Sequence, residues 1–292
     1  MYSTFAGPLA AALIAAVLTG CTTEQPTPAP SPPQAPATTT GLIPPGGAPT
    51  EGSRPQADNL PPPAEPQQAP PPEANLPGRQ VPVGSAPEGI VVDAQTRTVA
   101  VATRKPNELV LLDADTGEVR ARTPLPGAVR HLPLARPGGP VLVPVESANA
   151  LGWVDLPGGR AEQQIVTGTI PHDASETASG VVFVANELGG TTTVLRGDEI
   201  LKVFTDSVQP AGLAPVGELM GMLDVRKNDL TVYDASRLSI VGSTPAGQGP
   251  THLVADRHGR LIAADTRGDA SRVFDTSPAQ VAEVAQPGGP YG

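Results

Sequence analysis

A single cysteine in 292 residues excludes an internal disulfide and any metal site built from several thiolates. Aromatic residues are scarce, with four Phe, three Tyr and one Trp, so Val, Leu and Ala must fill the core. Basic clusters are missing too. The formal net charge is −10, and residues 80–292 hold 24 acidic against 17 basic side chains. Without a basic footprint no nucleic-acid partner is expected. The sequence also lacks a G-x-S-x-G elbow, an H-E-x-x-H pair and a P-loop. The apolar run of residues 7–18 is too short for a typical membrane-spanning helix.

Proline and glycine are abundant, at 37 and 32 residues, and 18 of the prolines fall in residues 22–80. That stretch alternates Pro with Ala, Gln, Thr and Gly. It cannot bury enough apolar surface to offset its ordering entropy and is expected to be a disordered stalk rich in polyproline II. Fully extended at about 3.1 Å per residue it would reach on the order of 180 Å. Thr22, Thr23, Thr27, Thr38, Thr39 and Thr40 near its start are candidates for O-linked sugars.

Ahead of the stalk, residues 7–18 fit a signal-peptide core and run straight into Leu18-Thr19-Gly20-Cys21. This tetrad resembles the lipobox of bacterial lipoproteins. The resemblance implies removal of residues 1–20 and lipidation of the Cys21 thiol, with palmitate among the acyl chains. Residues 1–7 contain no Lys or Arg, a departure from the usual signal-peptide start. Two acyl chains hold a protein stably where one is marginal. The expected organisation is a signal peptide at 1–20, a lipidated Cys and linker at 21–80, and a folded domain at 81–292. The protein would be exported and anchored to the outer face of the cell membrane.

The folded part repeats at a period of about 40 residues. Ala86-Pro87-Glu88-Gly89-Ile90 marks a turn entering a strand. Taking Gly89 as reference, its equivalents are His131, Asp173, Gly212, His252 and Gly292, at spacings of 42, 42, 39, 40 and 40. A second landmark keeps the same register: Leu112-Asp113, Val154-Asp155, Tyr233-Asp234 and Phe274-Asp275 each end an apolar run. Each repeat carries four short apolar runs separated by turn residues. They are too short for helices and rich in Val, which predicts strands. Four antiparallel strands per 40 residues is the arithmetic of a β-propeller blade. The predicted fold is therefore all-β, a propeller of four-stranded antiparallel blades behind the disordered Pro-rich stalk.

Strands two and three of the repeats carry a family likeness. Val99-Ala100-Val101-Ala102-Thr103, Val182-Phe183-Val184-Ala185-Asn186 and Asn228-Asp229-Leu230-Thr231-Val232-Tyr233-Asp234 resemble the YVTN-type propeller repeat, without the Tyr-Val-Thr-Asn tetrad itself. The resemblance covers most of residues 81–292. It implies the propeller fold and admits relatives of several kinds: surface-layer and secreted propellers, lactonase-like enzymes and lyase-like enzymes. Residues 79–83 look like an outermost strand with nothing before it, and the sixth landmark starts a further blade. The expectation is five full repeats out of a ring of six or seven. Pairing of residues 81–83 with 282–284 would instead close a ring of five.

Function belongs to the site rather than the fold. In a propeller the start of each innermost strand lies at one rim of the central channel. His131, His252 and Asp173 share the reference position there, and Glu88 and His172 sit one residue earlier in their repeats. These five residues are the candidate ligand-binding rim; no catalytic residue is assigned. Imidazole and carboxylate at a channel mouth suit small-ligand binding, acid–base chemistry or, with no fixed ligand set, a divalent metal. His258 falls in a turn and is expected at the surface. The repeated Asp113, Asp155, Asp234 and Asp275 are expected to accept backbone N–H bonds in turns. Arg104-Lys105 and Arg226-Lys227 are expected to be solvated loop charge. The first reading is a non-catalytic binding or scaffolding module for a protein, a cell-wall glycan or a small molecule. The other is a lactonase-like or lyase-like enzyme using the rim histidines and carboxylates.

Overall fold

The computed structural model describes residues 59–64, 78–162 and 164–291. The segment read as a signal peptide, Cys21 and most of the expected stalk lie outside the described residues.

Nineteen strands and two short 3-10 turns make up the described domain. Strands β1 (Ser85–Asp93), β2 (Thr98–Lys105), β3 (Asn107–Asp113) and β4 (Val119–Pro124) form the first antiparallel sheet, in that order. The third sheet joins β8 (Pro171–Glu176), β9 (Val182–Asn186), β10 (Thr191–Arg196) and β11 (Glu199–Phe204). The fourth joins β12 (Pro210–Val216), β13 (Leu219–Asp224), β14 (Asp229–Asp234) and β15 (Ser239–Pro245). The fifth joins β16 (Pro250–Ala255), β17 (Leu261–Asp265), β18 (Ala270–Phe274) and β19 (Gln280–Ala285). The chain is thus an all-β propeller of consecutive meander blades, as the 40-residue period predicts.

The second blade departs from the four-strand count. It holds β5 (Val141–Val145), β6 (Ala150–Val154) and a two-residue β7 (Ile165–Val166). Its innermost segment is reduced to one bridge, Leu134 to Val141. Pro133 and Pro140 flank that bridge, and each removes a backbone donor from the ladder.

Each pair of neighbouring blades shares one aliphatic cluster, which is why a four-stranded sheet can be stable here at all. Ala100, Leu109 and Leu111 of the first blade pack on Val141 and Val143 of the second. Leu142 and Leu151 meet Val182, Val184 and Leu195. Phe183 and Val194 meet Met220, Met222 and Tyr233. Leu223, Leu230 and Val232 meet Leu253, Leu261 and Phe274. Strand alternation sends one set of side chains to each neighbour, so the nearly continuous apolar runs are explained by burial on both faces.

Residues 81–83 do not form an outermost strand. Val81 and Val83 lie on the open face of the first blade, against Val99, Val101, Val110 and Leu112. Among the described residues β19 ends its sheet with no further strand beyond it. An uncovered apolar face attracts a nearby valine pair as readily as a sheet edge does, and sequence alone does not choose between them. The end faces of the blade series stay partly bare, with Ile90 64% and Val254 58% exposed.

The repeated aspartates mostly act as turn acceptors. Asp113, Asp234 and Asp275 each take two backbone N–H groups two to four residues ahead. Asp155 instead receives the Arg160 guanidinium at 2.7 Å.

Candidate functional site

The innermost strands β8, β12 and β16 lie side by side around the axis, and their first residues meet at one mouth. There the three rim histidines come together. The His131 ring centroid lies 4.6 Å from that of His172 and 5.1 Å from that of His252. Tyr291 extends the group, 4.7 Å from His252. A cavity of ≈ 490 Å³ opens here, bordered by Glu88, Arg130, His131, Asp173, His252 and Tyr291. His258 is exposed on a turn, away from this group.

The three imidazoles have different surroundings. Burial, then the charges of His172 and Arg130, hold His131 down at about 4. Burial, then His131 and His172, hold His252 at about 4 as well. Both rings are therefore neutral at pH 7. His172 is buried and places Nδ1 3.2 Å from Oε2 of Glu187. Burial alone would raise the Glu187 carboxyl. The His172 imidazole and the Gln209 amide, which donates to Oε1 at 2.9 Å, bring it down to about 2. Asp173 goes the other way. Burial pushes it up to about 6, although Leu213 N and Ala174 N donate to its two oxygens at 2.9 and 2.8 Å.

Glu88 belongs to a charged edge of the mouth. It receives the Arg104 guanidinium and lies 3.5 Å from Nε of Arg130. Arg130 and Arg104 also face Glu146, at 3.3 and 3.7 Å. Arg104 is thus paired rather than solvated, contrary to the expectation for that loop. Two adjacent carboxylates draw it inward.

A pattern in register explains these pairs. Fourteen or fifteen residues after each reference position, at the end of the second strand or in the loop that follows it, stand Arg104, Glu146, Glu187, Arg226 and Arg267. One residue before each reference position stand Glu88, Arg130, His172, Ala211 and Thr251. In the first three blades these two positions pair across the blade: Glu88 with Arg104, Arg130 with Glu146, His172 with Glu187. The same geometry is used with the charges exchanged. Glu187, Gln209 and Arg130 are the site residues that rim reasoning missed. The offset could have found Glu187 and Arg130; Gln209 lies outside it and shows only through its amide contact with Glu187.

Among the described residues no group of three or more His, Cys, Asp or Glu side chains is placed to hold a metal ion. The rings of His131 and His252 pack on each other and on their neighbours. They do not converge on a shared point, so the cluster does not fit a divalent metal.

No family model matches the chain, and no curated protein matches it in sequence. Solved structures do share its fold. Virginiamycin B lyase from Staphylococcus aureus superposes with a TM-score of 0.60 at 19% identity, over 70% of this chain and 71% of that one. A catalytically inactive histidine-to-alanine form of the lyase with quinupristin superposes equally well at 18% identity. A functionally unknown protein from Desulfotomaculum acetoxidans gives a TM-score of 0.58 at 17% identity, over 72% of this chain and 75% of that one. The likeness shows a β-propeller of the kind seen in the lyases. At these identities it shows the fold alone.

Proposed function

We propose that this protein is an exported lipoprotein, anchored through Cys21, whose propeller displays a non-catalytic binding site for a compact polar small molecule. The observation that carries the binding reading is the packed group of imidazoles at the channel mouth. Two of them are kept neutral by burial. Nδ1 of His252 is buried without a hydrogen-bond partner among the described residues. Such a group offers hydrogen bonds and ring faces but takes up protons poorly at neutral pH, which suits recognition better than base catalysis. The Glu88, Arg130 and Glu146 edge adds charge of both signs for orientation. Protein and cell-wall partners would meet the outer loops, and the stalk would carry them away from the membrane.

The test is a thermal-shift screen of small polar compounds on the wild type and on a His131→Ala, His252→Ala variant. Compounds that stabilise the wild type should lose that effect in the variant. Equal stabilisation of both would place binding elsewhere. Membrane fractionation of Cys21→Ala tests the anchor: the variant should leave the membrane fraction, and unchanged fractionation would reject lipidation.

A second reading is favoured by the His172 and Glu187 pair. The Glu187 carboxylate lies 3.2 Å from the buried Nδ1 of His172, within reach of the hydrogen bond that would orient a general base, although the two are not aligned as a hydrogen bond in this structure. In this reading His172 would take a carbon-bound proton from the substrate as the ring-closing ester leaves in a lyase-like opening, or a proton from the attacking water in a lactonase-like one, and Glu187 would stabilise the imidazolium formed. Quinupristin, the ligand of the inactive S. aureus lyase, is the natural first probe. A lyase opens the ring without change of mass, a lactonase adds one water, and a binding module returns the compound intact.

A further inference from the structure

The blade series leaves two members of the loop ladder unexplained. In the fourth and fifth blades the inner positions are Ala211 and Thr251, which offer no carboxylate to Arg226 and Arg267. Both arginines instead reach the described fragment of the proline-rich linker, residues 59–64. Nη2 of Arg226 donates to the Leu60 carbonyl at 3.1 Å. Nη2 of Arg267 donates to the Pro62 carbonyl. Ala64 is only 3% exposed. It sits over Gly249, where an added Cβ would come within 2.8 Å of the Ala64 methyl.

The fragment has the chemistry of a polyproline strand. Leu60 and Pro63 are half-buried, whereas Pro61 and Pro62 face solvent. That spacing is the three-residue turn of polyproline II. Prolines donate no hydrogen bond and leave their carbonyls free. A site that reads such a chain needs donors for carbonyls and room for close approach: Arg226 and Arg267 supply the donors, and side-chain-free Gly249 admits Ala64. The loops here are also fixed in place. Oδ1 of Asp265 accepts from Gln248 N and Gly249 N at 2.9 Å each and from Gly268 N at 3.2 Å. Oδ1 of Asp224 accepts from Arg226 N at 3.1 Å. The loops carrying both arginines are thus pinned before any ligand arrives, which lowers the cost of binding.

We propose that the loop face of the fourth and fifth blades is a polyproline-binding cleft, occupied in this chain by its own residues 60–64. The ligand class is a short, uncharged proline-rich peptide read through two carbonyls. In cis the cleft pins the linker to the propeller close to the channel mouth, since Gly249 immediately precedes β16. This inference stands independently of what the mouth itself binds.

Thiol protection tests it in the full-length chain. In a Cys21→Ser background, Ala64→Cys should be alkylated by a maleimide about tenfold more slowly than Asn59→Cys, because Asn59 is exposed. Combining Ala64→Cys with Arg226→Gln and Arg267→Gln should remove most of that protection. If that combination does not fold, the exposed Arg267→Gln alone carries the comparison. An excess of a synthetic Asn-Leu-Pro-Pro-Pro-Ala peptide should speed alkylation of Ala64→Cys by displacing the internal segment. Equal rates at positions 64 and 59 would overturn the proposal. Protection that neither the arginine substitutions nor the peptide alters would overturn the cleft and leave only a packed linker.

Discussion

Acidification should remove stability that the folded protein draws from keeping His252 neutral. The group titrates near 6.5 when unfolded and at about 4 in the fold. Between those values the unfolded chain binds the extra proton, so stability is complete above pH 6.5 and is lost as the pH falls toward 4. The full shift corresponds to about 3 kcal/mol, of which about 2 kcal/mol is lost between pH 7 and pH 4.5. Asp173 acts in the opposite sense. Its pKa rises from 3.8 to about 6, so the fold gains stability from it as the pH falls through 6. The wild-type profile alone therefore mixes both signs. The comparison to make is wild type against His252→Gln, by urea unfolding followed by circular dichroism at pH 7, 6, 5 and 4.5. The stability difference, wild type minus variant, should shrink by about 2 kcal/mol across that range. His131 touches His252, so the two titrate as a pair and the variant also relieves His131. A difference that stays constant, or grows in acid, would refute the view that burial keeps this imidazole neutral.

Other perturbations test the packing and the pairs. Tyr233 is fully buried against Phe183 and Phe204, and Tyr233→Ala should cost about 3–5 kcal/mol in urea unfolding. Tyr233→Phe should cost about 1 kcal/mol, since Oη donates to Asp206 at 3.1 Å. Glu187→Gln takes the carboxylate from His172 and should lower stability by about 1–3 kcal/mol at pH 7. Gly212→Val would drive a side chain against Leu253 N, which an added Cβ already approaches to 3.0 Å. A loss of about 1–3 kcal/mol is expected. Val254→Lys, on an exposed position, should change stability by less than about 0.5 kcal/mol.

The blades were legible because two landmarks, the strand-entry turn and the closing Asp, repeat in register and because the runs are apolar on both faces. The period placed His131, His172 and His252 at one rim; that their rings touch follows from side-chain packing that the spacing does not fix. What was not legible depends on contacts outside the period. The inner strand of the second blade is weakened by Pro133 and Pro140, which the run of Leu and Val around them conceals. Val81 and Val83 read as a strand but cover a blade face, because a β-alternating segment suits both. Arg104 and Arg226 looked like ordinary loop charge. Arg104 pairs with Glu88 of its own blade and also faces Glu146 of the next, and Arg226 reaches the Leu60 carbonyl in the linker.

The charge-exchanged pairs suggest how one backbone geometry supports different sites around a ring. The loop position and the inner-strand position meet in the first three blades, where the same meander sets both. A carboxylate and a guanidinium satisfy that geometry in either order, as the first two blades show. Substituting an imidazole for the guanidinium, as His172 does against Glu187, keeps the pair but brings a titratable ring into the mouth. Ala or Thr at the inner position, as at Ala211 and Thr251, offers no charge to the loop, and Arg226 and Arg267 reach the linker carbonyls. An unpaired buried polar group is costly, so a change at one position alters which partner its opposite finds. The histidine group and the linker contacts are therefore two outcomes of the same constraint, reached by different residues at equivalent places.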